Sequence, residues 1–374
     1  MKFEKYPFEK LRELLADIKP NQDFEPIDLT IGEPQFETPQ FIQDSLKDSS
    51  NLLRKYPKSG GENYLKDSML QFVDRRFSLK LKESELIPTF GTREVLFNFP
   101  QYFLFEKENP KIAFTNPFYQ IYEGSAIASR SKVDYITLKK ENNFKPEIDE
   151  SRLRDTDLVI LNFPNNPTGS TLSFDEFKEW IELSQKYGFT LLNDECYSEI
   201  YSETPPLSLL EVAKKMGISD FKNLLVINSL SKRSSAPGLR SGFIAGDSSI
   251  LKGYLRYRTY LGTAIPLPLQ VASATAWSDD KHVEKNREIY RENMRLAKEI
   301  LNIEVSQATF YLWLEVKDDL KATVELFRDF NLKVIAGRFL GRDGAGENFI
   351  RIALVENPTK VKRALEVLKI YLEL

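Results

Sequence analysis

The sequence predicts an α/β protein with two domains, a large one built on a mainly parallel sheet flanked by helices and a smaller α+β one. The middle of the chain alternates short apolar runs with helical patterns, which is typical of βαβ units. From about residue 280 the pattern changes to long charged helices followed by EVSQATFYLWLEV and FIRIALV. The 374 residues are enough for two domains. We expect residues 45–275 to form the large domain, and 1–44 with 276–374 the small one.

The strands of the large domain are expected where short apolar runs end at polar or turn residues. Strands that are buried on both faces read as nearly continuous apolar runs, as these do. The runs are KIAFTNP at 111–117, DLVILNFP at 157–164, FTLLND at 189–194, NLLVINS at 223–229 and SGFIAGD at 241–247.

Helices are expected between these strands. In SFDEFKEWIELSQKYG, Ser173 and Glu176 form a capping box, and Gly188 ends the helix. Pro100 interrupts the apolar helical pattern REVLFNFPQYFLF, so we expect a kink or a break there. Residues 259–278 carry no charge but contain two prolines, which indicates a buried irregular segment that leads into a helix.

Composition excludes several classes of function. The net charge is −3, so nucleic acid is not an expected partner. The single cysteine, Cys196, permits no disulfide framework and is expected to be a buried small residue. The single histidine, His282, lies in a charged stretch and is expected at the surface without a role, so no metal site is predicted. The N-terminus is charged and no membrane span is expected, so we predict a cytoplasmic protein.

Chemically active side chains follow four of the predicted strands. In open α/β sheets, ligands bind outside the carboxyl ends of the strands. Gly91 and Thr92 open a helix, whose first backbone N–H groups can hold a phosphate. The segments after the strands are Asn165-Asn166-Pro167-Thr168-Gly169, Asp194-Glu195-Cys196-Tyr197, Ser229-Leu230-Ser231-Lys232 and Asn116-Pro117-Phe118-Tyr119.

A planar, phosphorylated aromatic aldehyde with a ring nitrogen would use all of these groups. A lysine forms a Schiff base with the aldehyde, a carboxylate pairs with the ring nitrogen, and an aromatic side chain stacks on the ring. Hydroxyls, an arginine and a helix N-terminus hold the phosphate. The set therefore predicts pyridoxal 5'-phosphate as the cofactor.

The ordered motifs also resemble a known family. NNPTG, DECY, SLSK with an arginine eight residues after its lysine, and FIRIA follow one another as in the fold-type-I, pyridoxal-phosphate-dependent aminotransferases of class I/II, relatives of aspartate aminotransferase. The resemblance extends from TIGEP at 30–34 to Arg351. A departure lies in AGRFLG at 336–341, where the family more often has Pro-Gly, so the shape of that loop stays open.

The resemblance implies a role for each matching residue. Lys232 is implied to be the Schiff-base lysine and the general base, and Asp194 the partner of the ring nitrogen. Tyr197 and Asn166 are implied to bond the phenolic oxygen, and Tyr119 to stack on the ring. The phosphate contacts implied are Gly91, Thr92, Arg93, Ser229, Ser231 and Arg240.

Substrate and subunit contacts follow from the same resemblance. Arg351 is implied to bind the substrate α-carboxylate, with Gly32 and Asn166 beside it. Tyr56 is implied to reach the phosphate of a neighbouring subunit, which predicts a homodimer with shared active sites.

Simpler interpretations of these residues stay open at this point. Lys232 could be a solvated loop lysine, Asp194 a helix cap, and Arg351 half of a structural ion pair. Tyr119 and Tyr122 could be core aromatics, and Gly91-Thr92 merely a helix start.

Longer phrases such as GTREVLF, NPFYQIYEG and PPLSLLE are similar to bacterial N-succinyldiaminopimelate aminotransferases. This resemblance implies transfer from N-succinyl-LL-2,6-diaminopimelate to 2-oxoglutarate, in lysine and diaminopimelate biosynthesis. Arg93, Arg233 and Arg338 are the candidate cations for the distal end of the donor. The alternatives are an aspartate, alanine or aromatic aminotransferase or a β-lyase on the same scaffold, and a non-enzymatic ligand sensor, against which the lack of a basic helix-turn-helix stretch argues.

Overall fold

The structure is a computed structural model that describes residues 3–373. It contains strands in three sheets. The strands are β1 Ile27–Asp28, β2 Leu86–Thr89, β3 Lys111–Asn116, β4 Lys132–Thr137, β5 Leu158–Asn162, β6 Thr190–Asp194, β7 Leu224–Ser229, β8 Gly242–Gly246, β9 Tyr311–Glu315, β10 Leu332–Lys333, β11 Ile335–Ala336 and β12 Phe349–Ala353.

Helices cover these sheets. They are α1 Pro7–Leu15, α2 Gln40–Asp48, α3 Asn63–Phe77, α4 Thr92–Phe103, α5 Ile121–Ala128, α6 Glu150–Leu153, α7 Phe174–Tyr187, α8 Leu209–Lys215, α9 Leu230–Arg233, α10 Ser248–Arg258, α11 Leu267–Ser278, α12 Lys281–Leu301, α13 Asp319–Phe330 and α14 Pro358–Leu372. Within residues 3–373, no helix is both long and apolar enough to cross a membrane.

The central sheet has seven strands in the order β2-β8-β7-β6-β5-β3-β4. The neighbours from β7 to β4 are parallel, whereas β8 is antiparallel to both β2 and β7. Every residue of β5, β6 and β7 is buried, as expected for strands with helices on both faces. The prediction of a mainly parallel, helix-covered sheet is confirmed.

Local sequence signals explain where α7 begins and ends. Ser173 and Glu176 form the predicted capping box, and Gly188 closes the helix at φ +77°. A left-handed residue at this point costs little for glycine, which has no Cβ. Phe177, which is buried, belongs to the face that packs on the central sheet.

A separate small sheet lies in the second part of the fold. Strands β11, β12 and β9 pair antiparallel, and β1 pairs with β10, so the first part of the chain packs with the last as expected. Their apolar side chains share a core with α12 and α14, distinct from the core of the large sheet. The domain boundaries at residues 44/45 and 275/276 stay a prediction.

At Pro100 the expected break is absent, and at His282 the expectation is wrong. Helix α4 continues through Pro100 to Phe103, and both Phe99 and Pro100 are buried, so a kink is the alternative that stays a prediction. Packing therefore outweighs the one helical hydrogen bond that proline cannot donate. His282 is not at the surface but is 6% exposed, with Nδ1 2.7 Å from Asp279 Oδ1 and Nε2 2.8 Å from Ser234 Oγ. These two contacts satisfy both ring nitrogens and make burial tolerable.

Candidate active site

A cavity of about 770 Å³ lies where the carboxyl ends of β5, β6 and β7 meet residues of the small sheet. Most of the predicted site residues line this one cavity. They are Gly32, Thr92, Arg93, Tyr119, Asn166, Asp194, Tyr197, Ser229, Ser231, Lys232, Arg240 and Arg351.

Lys232 projects into the cavity from α9, the single helical turn that follows β7. Its Nζ donates a hydrogen bond to the carbonyl oxygen of Gly32. Burial disfavours the ammonium form and lowers the pKa of Lys232 to about 8. An amine with this pKa is partly neutral near pH 7.5, which a nucleophile or a general base requires. Lys232 is therefore not the solvated loop lysine of the simpler interpretation.

Asp194 ends β6 and is buried beside the lysine. Its Oδ2 accepts a hydrogen bond from the Tyr122 hydroxyl at 3.0 Å, and its Oδ1 accepts one from the backbone N–H of Cys196 at 3.2 Å. Burial raises the pKa of Asp194, while these hydrogen bonds and Lys232 oppose the rise. A cation bound next to this carboxyl group would therefore favour its ionised form.

Tyr122 is a site residue that the sequence left as a core aromatic. It lines the cavity and is buried, and burial raises its pKa well above the usual range, so its hydroxyl stays a donor to Asp194. The signal in the sequence was its position three residues after Tyr119, and the two rings pack edge to face in the structure.

Tyr311 on β9 is a second residue that sequence reasoning missed. Its hydroxyl lies 3.0 Å from the hydroxyl of Tyr197, and its ring lies 4.6 Å below the guanidinium of Arg351. A Cβ at Gly32 would fall 1.8 Å from the Tyr311 hydroxyl, so only glycine permits this close approach.

Arg351 on β12 presents a positive charge to the cavity. Its Nη1 donates to Asn166 Oδ1 at 2.9 Å and its Nη2 to the carbonyl oxygen of Thr30 at 2.6 Å. Both partners are neutral, and among residues 3–373 Nε is buried without a hydrogen-bond partner. Arg351 is therefore not held in a structural ion pair, and each Nη keeps a second N–H that could donate to an anionic ligand in the cavity.

Donors from three segments are candidates for holding an anion beside the cavity. Ser229 Oγ lies 2.9 Å from Ser231 Oγ. Arg240, at φ +50°, places its guanidinium so close to Gly91 that a Cβ there would lie 2.3 Å from Nη2. Gly91 does not line the cavity but precedes Thr92, where α4 begins with unpaired backbone N–H groups.

The family model described as aminotransferase class I and II matches residues 25–368. The chain is an aminotransferase of this family. The resemblance found in the sequence is confirmed at this level, and the assignment favours an enzyme over the ligand sensor.

Several relatives of this aminotransferase are similar over nearly their whole length. The LL-diaminopimelate aminotransferase of Natranaerobius thermophilus is 30% identical over 91% of this chain and 90% of its own. The structure of the aminotransferase AspB of Helicobacter pylori superposes with a TM-score of 0.98 at 50% identity, over all of both chains. An aminotransferase of Neisseria meningitidis superposes with a TM-score of 0.94 at 38% identity, over 99% of this chain and 98% of its own.

One of the three arginines expected to bind the distal end of the donor lines the cavity of this aminotransferase. Arg233 is buried against Asp280, 2.5 Å away, and Arg338 pairs with Asp319 at 2.6 Å; neither lines the cavity. Arg93 lines it, and its Nε donates to the Tyr119 hydroxyl at 2.8 Å. Of the three arginines, only Arg93 lines the cavity, whereas Arg233 and Arg338 pair with carboxylates outside it.

Two further residues were singled out in the sequence, Tyr56 as a contact to the neighbouring subunit and Cys196 as a buried small residue. Tyr56 is fully exposed and lies outside the cavity of its own chain. Cys196 lines the cavity with Sγ 3.2 Å from Thr92 Oγ1, and burial raises its pKa well above the usual range. Its thiol therefore stays protonated and unreactive.

Proposed function

We propose that this aminotransferase depends on pyridoxal 5'-phosphate and transfers the amino group of N-succinyl-LL-2,6-diaminopimelate to 2-oxoglutarate, a step of lysine and diaminopimelate biosynthesis. One observation carries the cofactor proposal. A buried amine with a lowered pKa, a buried carboxyl group and an anion site converge on a single cavity. This combination of amine, acid and anion donors matches the aldehyde, ring nitrogen and phosphate of that cofactor.

The fit to the cofactor rests on the donor set. When bound, pyridoxal phosphate supplies an aldehyde that accepts the amino group and a ring that takes up electrons. Ser229, Ser231, Arg240 and the first N–H groups of α4 would hold its phosphate. The absence of a Cβ at Gly91 keeps room for the Arg240 guanidinium at that position.

Asp194 would hold the ring nitrogen of the cofactor in its protonated form. The Tyr122 hydroxyl fixes the carboxyl group at Oδ2, and the N–H of Cys196 fixes it at Oδ1. A protonated ring nitrogen supplies the opposite charge that offsets the burial of Asp194. Tyr119 would stack on the ring, and Tyr197 with Asn166 would donate to its phenolic oxygen.

Lys232 would then move the proton. Its Nζ would accept the proton from the substrate Cα and return it to the former aldehyde carbon of the cofactor, on the other side of the transferred nitrogen. While it holds the proton, the ammonium could donate to the carbonyl oxygen of Gly32. A base with a pKa of about 8 operates efficiently near neutral pH.

Arg351 would bind the α-carboxylate of both substrates. Each Nη has a second N–H that neither Asn166 nor Thr30 uses, and Asn166 orients the guanidinium through Nη1. The two half-reactions share this site, so donor and acceptor need the same α-carboxylate contact.

The donor is proposed from the size and charge of the cavity together with its relatives. A cavity of about 770 Å³ admits a long donor arm. The Nε of Arg93 donates to the Tyr119 hydroxyl, and its Nη groups are the proposed donors to the distal carboxylate of the substrate. The relative from Natranaerobius thermophilus is named for LL-diaminopimelate, a donor of the same carbon skeleton.

Steady-state assays with 2-oxoglutarate as acceptor test the donor. N-Succinyl-LL-diaminopimelate, unacylated LL-diaminopimelate, aspartate, alanine and phenylalanine are compared side by side. We expect kcat/KM for the succinylated donor to exceed each of the others by at least tenfold, or about 1.4 kcal/mol. If aspartate or phenylalanine leads, the proposed donor is wrong, although the enzyme class stands.

A further inference from the structure

Tyr6 contributes a buried hydroxyl group that forms no well-aligned hydrogen bond within the described part of the chain. The residue precedes helix α1 and lines the same cavity as Lys232 and Arg351. Its hydroxyl oxygen is buried and forms no hydrogen bond within the described residues 3–373. Leaving a buried hydroxyl unsatisfied costs about 1–3 kcal/mol, so a ligand that pairs with it recovers this free energy.

The surroundings of Tyr6 favour a donor rather than an acceptor role. Burial raises the pKa of Tyr6, and the neighbouring Tyr119 raises it further, so the hydroxyl keeps its proton. The Tyr119 hydroxyl accepts from Arg93 Nε and lies close enough to the Tyr6 hydroxyl to raise its pKa, but the two hydroxyls form no hydrogen bond of good geometry. Arg93 and Arg351 both act against the rise in the pKa, so the hydroxyl lies within electrostatic range of the two cations.

The walls beside this hydroxyl are mostly apolar. Pro7, Phe8 and Phe97 line the same cavity. A second cavity of about 280 Å³ shares Tyr6 and Phe97 with the first, so the Tyr6 side chain stands in the wall between the two. A polar atom in such a wall can distinguish a ligand arm that carries an acceptor from one that is purely hydrocarbon.

We infer that Tyr6 is a specificity-determining residue whose hydroxyl donates a hydrogen bond to an uncharged oxygen in the donor's arm, the amide carbonyl of an N-acylated amino acid. Other residues are proposed to bind the two charged ends of such a donor. Arg351 would bind the α-carboxylate, and Arg93 would bind the distal carboxylate. The amide of such a donor lies between its two charged ends, and Tyr6 lines the same cavity as both cations. The inference rests on the proposed function for the identity of the donor.

The test is Tyr6→Phe, which removes only the unpaired hydroxyl. The two half-reactions are measured separately on the cofactor-loaded enzyme by stopped-flow absorbance. For N-succinyl-LL-diaminopimelate we expect kcat/KM to fall about fivefold, the loss of one hydrogen bond between neutral groups. For 2-oxoglutarate, which has no amide, we expect no change. Tyr254→Phe is the matched control, because its hydroxyl is also buried and unpaired but lies outside the cavity.

Each outcome decides between the two proposals. Equal loss in both half-reactions, or an unchanged donor half-reaction in Tyr6→Phe, overturns the role of Tyr6 alone. If the wild type turns over 2-oxoglutarate but not the succinylated donor, the proposed donor fails and the inference fails with it. A selective loss in Tyr6→Phe with none in Tyr254→Phe supports both. The melting temperature of Tyr6→Phe should match that of the wild type, since no protein contact is removed.

Discussion

Burial acts on Lys232 and Arg351 in different ways, and the difference suits their proposed tasks. An ammonium group can lose its proton when desolvated, so the pKa of Lys232 falls to about 8 and the amine becomes reactive. A guanidinium stays charged, so Arg351 keeps a cation in the cavity. One residue thus provides a base, and the other a fixed charge.

The role of Arg351 can be measured by replacing it with lysine. The ammonium keeps the charge but loses the planar pair of donors, so we expect KM to rise roughly tenfold or more for both donor and acceptor. Cofactor absorbance should be unchanged, because no cofactor contact is assigned to Arg351. Arg338→Lys is the control, since Arg338 pairs with Asp319 outside the cavity and should leave both KM values as they are. Loss of the cofactor spectrum in Arg351→Lys would instead indicate a structural role.

Residues near a strand end could be predicted from sequence, whereas partners from distant segments could not. Asn166, Asp194 and Lys232 each follow an apolar run, and parallel strands bring such ends to one edge of the sheet. Tyr311 and Tyr122 reach the cavity through contacts with residues far away in the chain. His282 shows the same limit, because its charged neighbours say nothing about Ser234, which makes its burial tolerable.

The start of helix α4 gives a prediction about backbone geometry. Gly91 has φ +74°, and a Cβ there would lie 2.3 Å from Arg240 Nη2. Gly188, at the end of α7, has φ +77° with open space around its Cβ position. Gly188→Ala should lose about 1–2 kcal/mol of stability from left-handed strain. Gly91→Ala should lose about 1–3 kcal/mol, because its ψ of 161° lies in a region open essentially to glycine alone. Only Gly91→Ala should also displace Arg240 and raise the cofactor Kd, by about tenfold, in a fluorescence titration. Equal Kd values in the two variants would contradict this arrangement of the anion site.

The turn after β6 gives a prediction about pH. Glu195 Oε1 accepts hydrogen bonds from Leu209 N at 2.9 Å and from Ser208 Oγ at 3.1 Å, which ties this turn to the start of α8. Burial nevertheless raises the pKa of Glu195 from 4.5 to about 8. Because the folded protein binds the proton more tightly, its stabilising effect is complete below about pH 4.5 and is lost as the pH rises through about 8.

Glu195→Gln keeps the accepting oxygen and removes the titration. Urea unfolding of both proteins at pH 6 and pH 9 compares their free energies of unfolding. We expect the wild type to lose about 2 kcal/mol relative to the variant over this interval. A difference between the two proteins that does not change with pH would show that the carboxyl group titrates normally in the fold.

The parallel sheet could be predicted from the sequence, but the antiparallel strand β8 and the continuous helix through Pro100 could not. Alternating apolar runs and capped helices such as α7 determine the parallel sheet, because each signal is local and repeated along the chain. The antiparallel pairing of β8 carries no such local signal, since a buried strand reads the same in either direction. Helix α4 passes through Pro100 because the packing of the assembled core decides the outcome there.

Tyr56 connects the active site to the assembly of the molecule. It is fully exposed in the single chain, and Leu53, three residues before it, is 72% exposed. We predict a homodimer in which Tyr56 reaches the cofactor phosphate of the other subunit. Tyr56→Ala should then weaken cofactor binding without moving any group of its own chain's cavity, and sedimentation should give a dimer.

Mixing two defective variants decides between action within one chain and action across the interface. Lys232→Ala lacks the base, and Tyr56→Ala is assayed at a cofactor concentration too low to saturate it. In a hybrid dimer formed by co-refolding, one site combines an intact Lys232 with an intact Tyr56 from the other subunit, and the second site carries both defects. Random exchange makes half of the dimers hybrids, so activity should return to about a quarter of the wild-type value. If Tyr56 served its own chain, every site would keep one defect and no activity would return, and a monomeric wild type would exclude the shared site altogether.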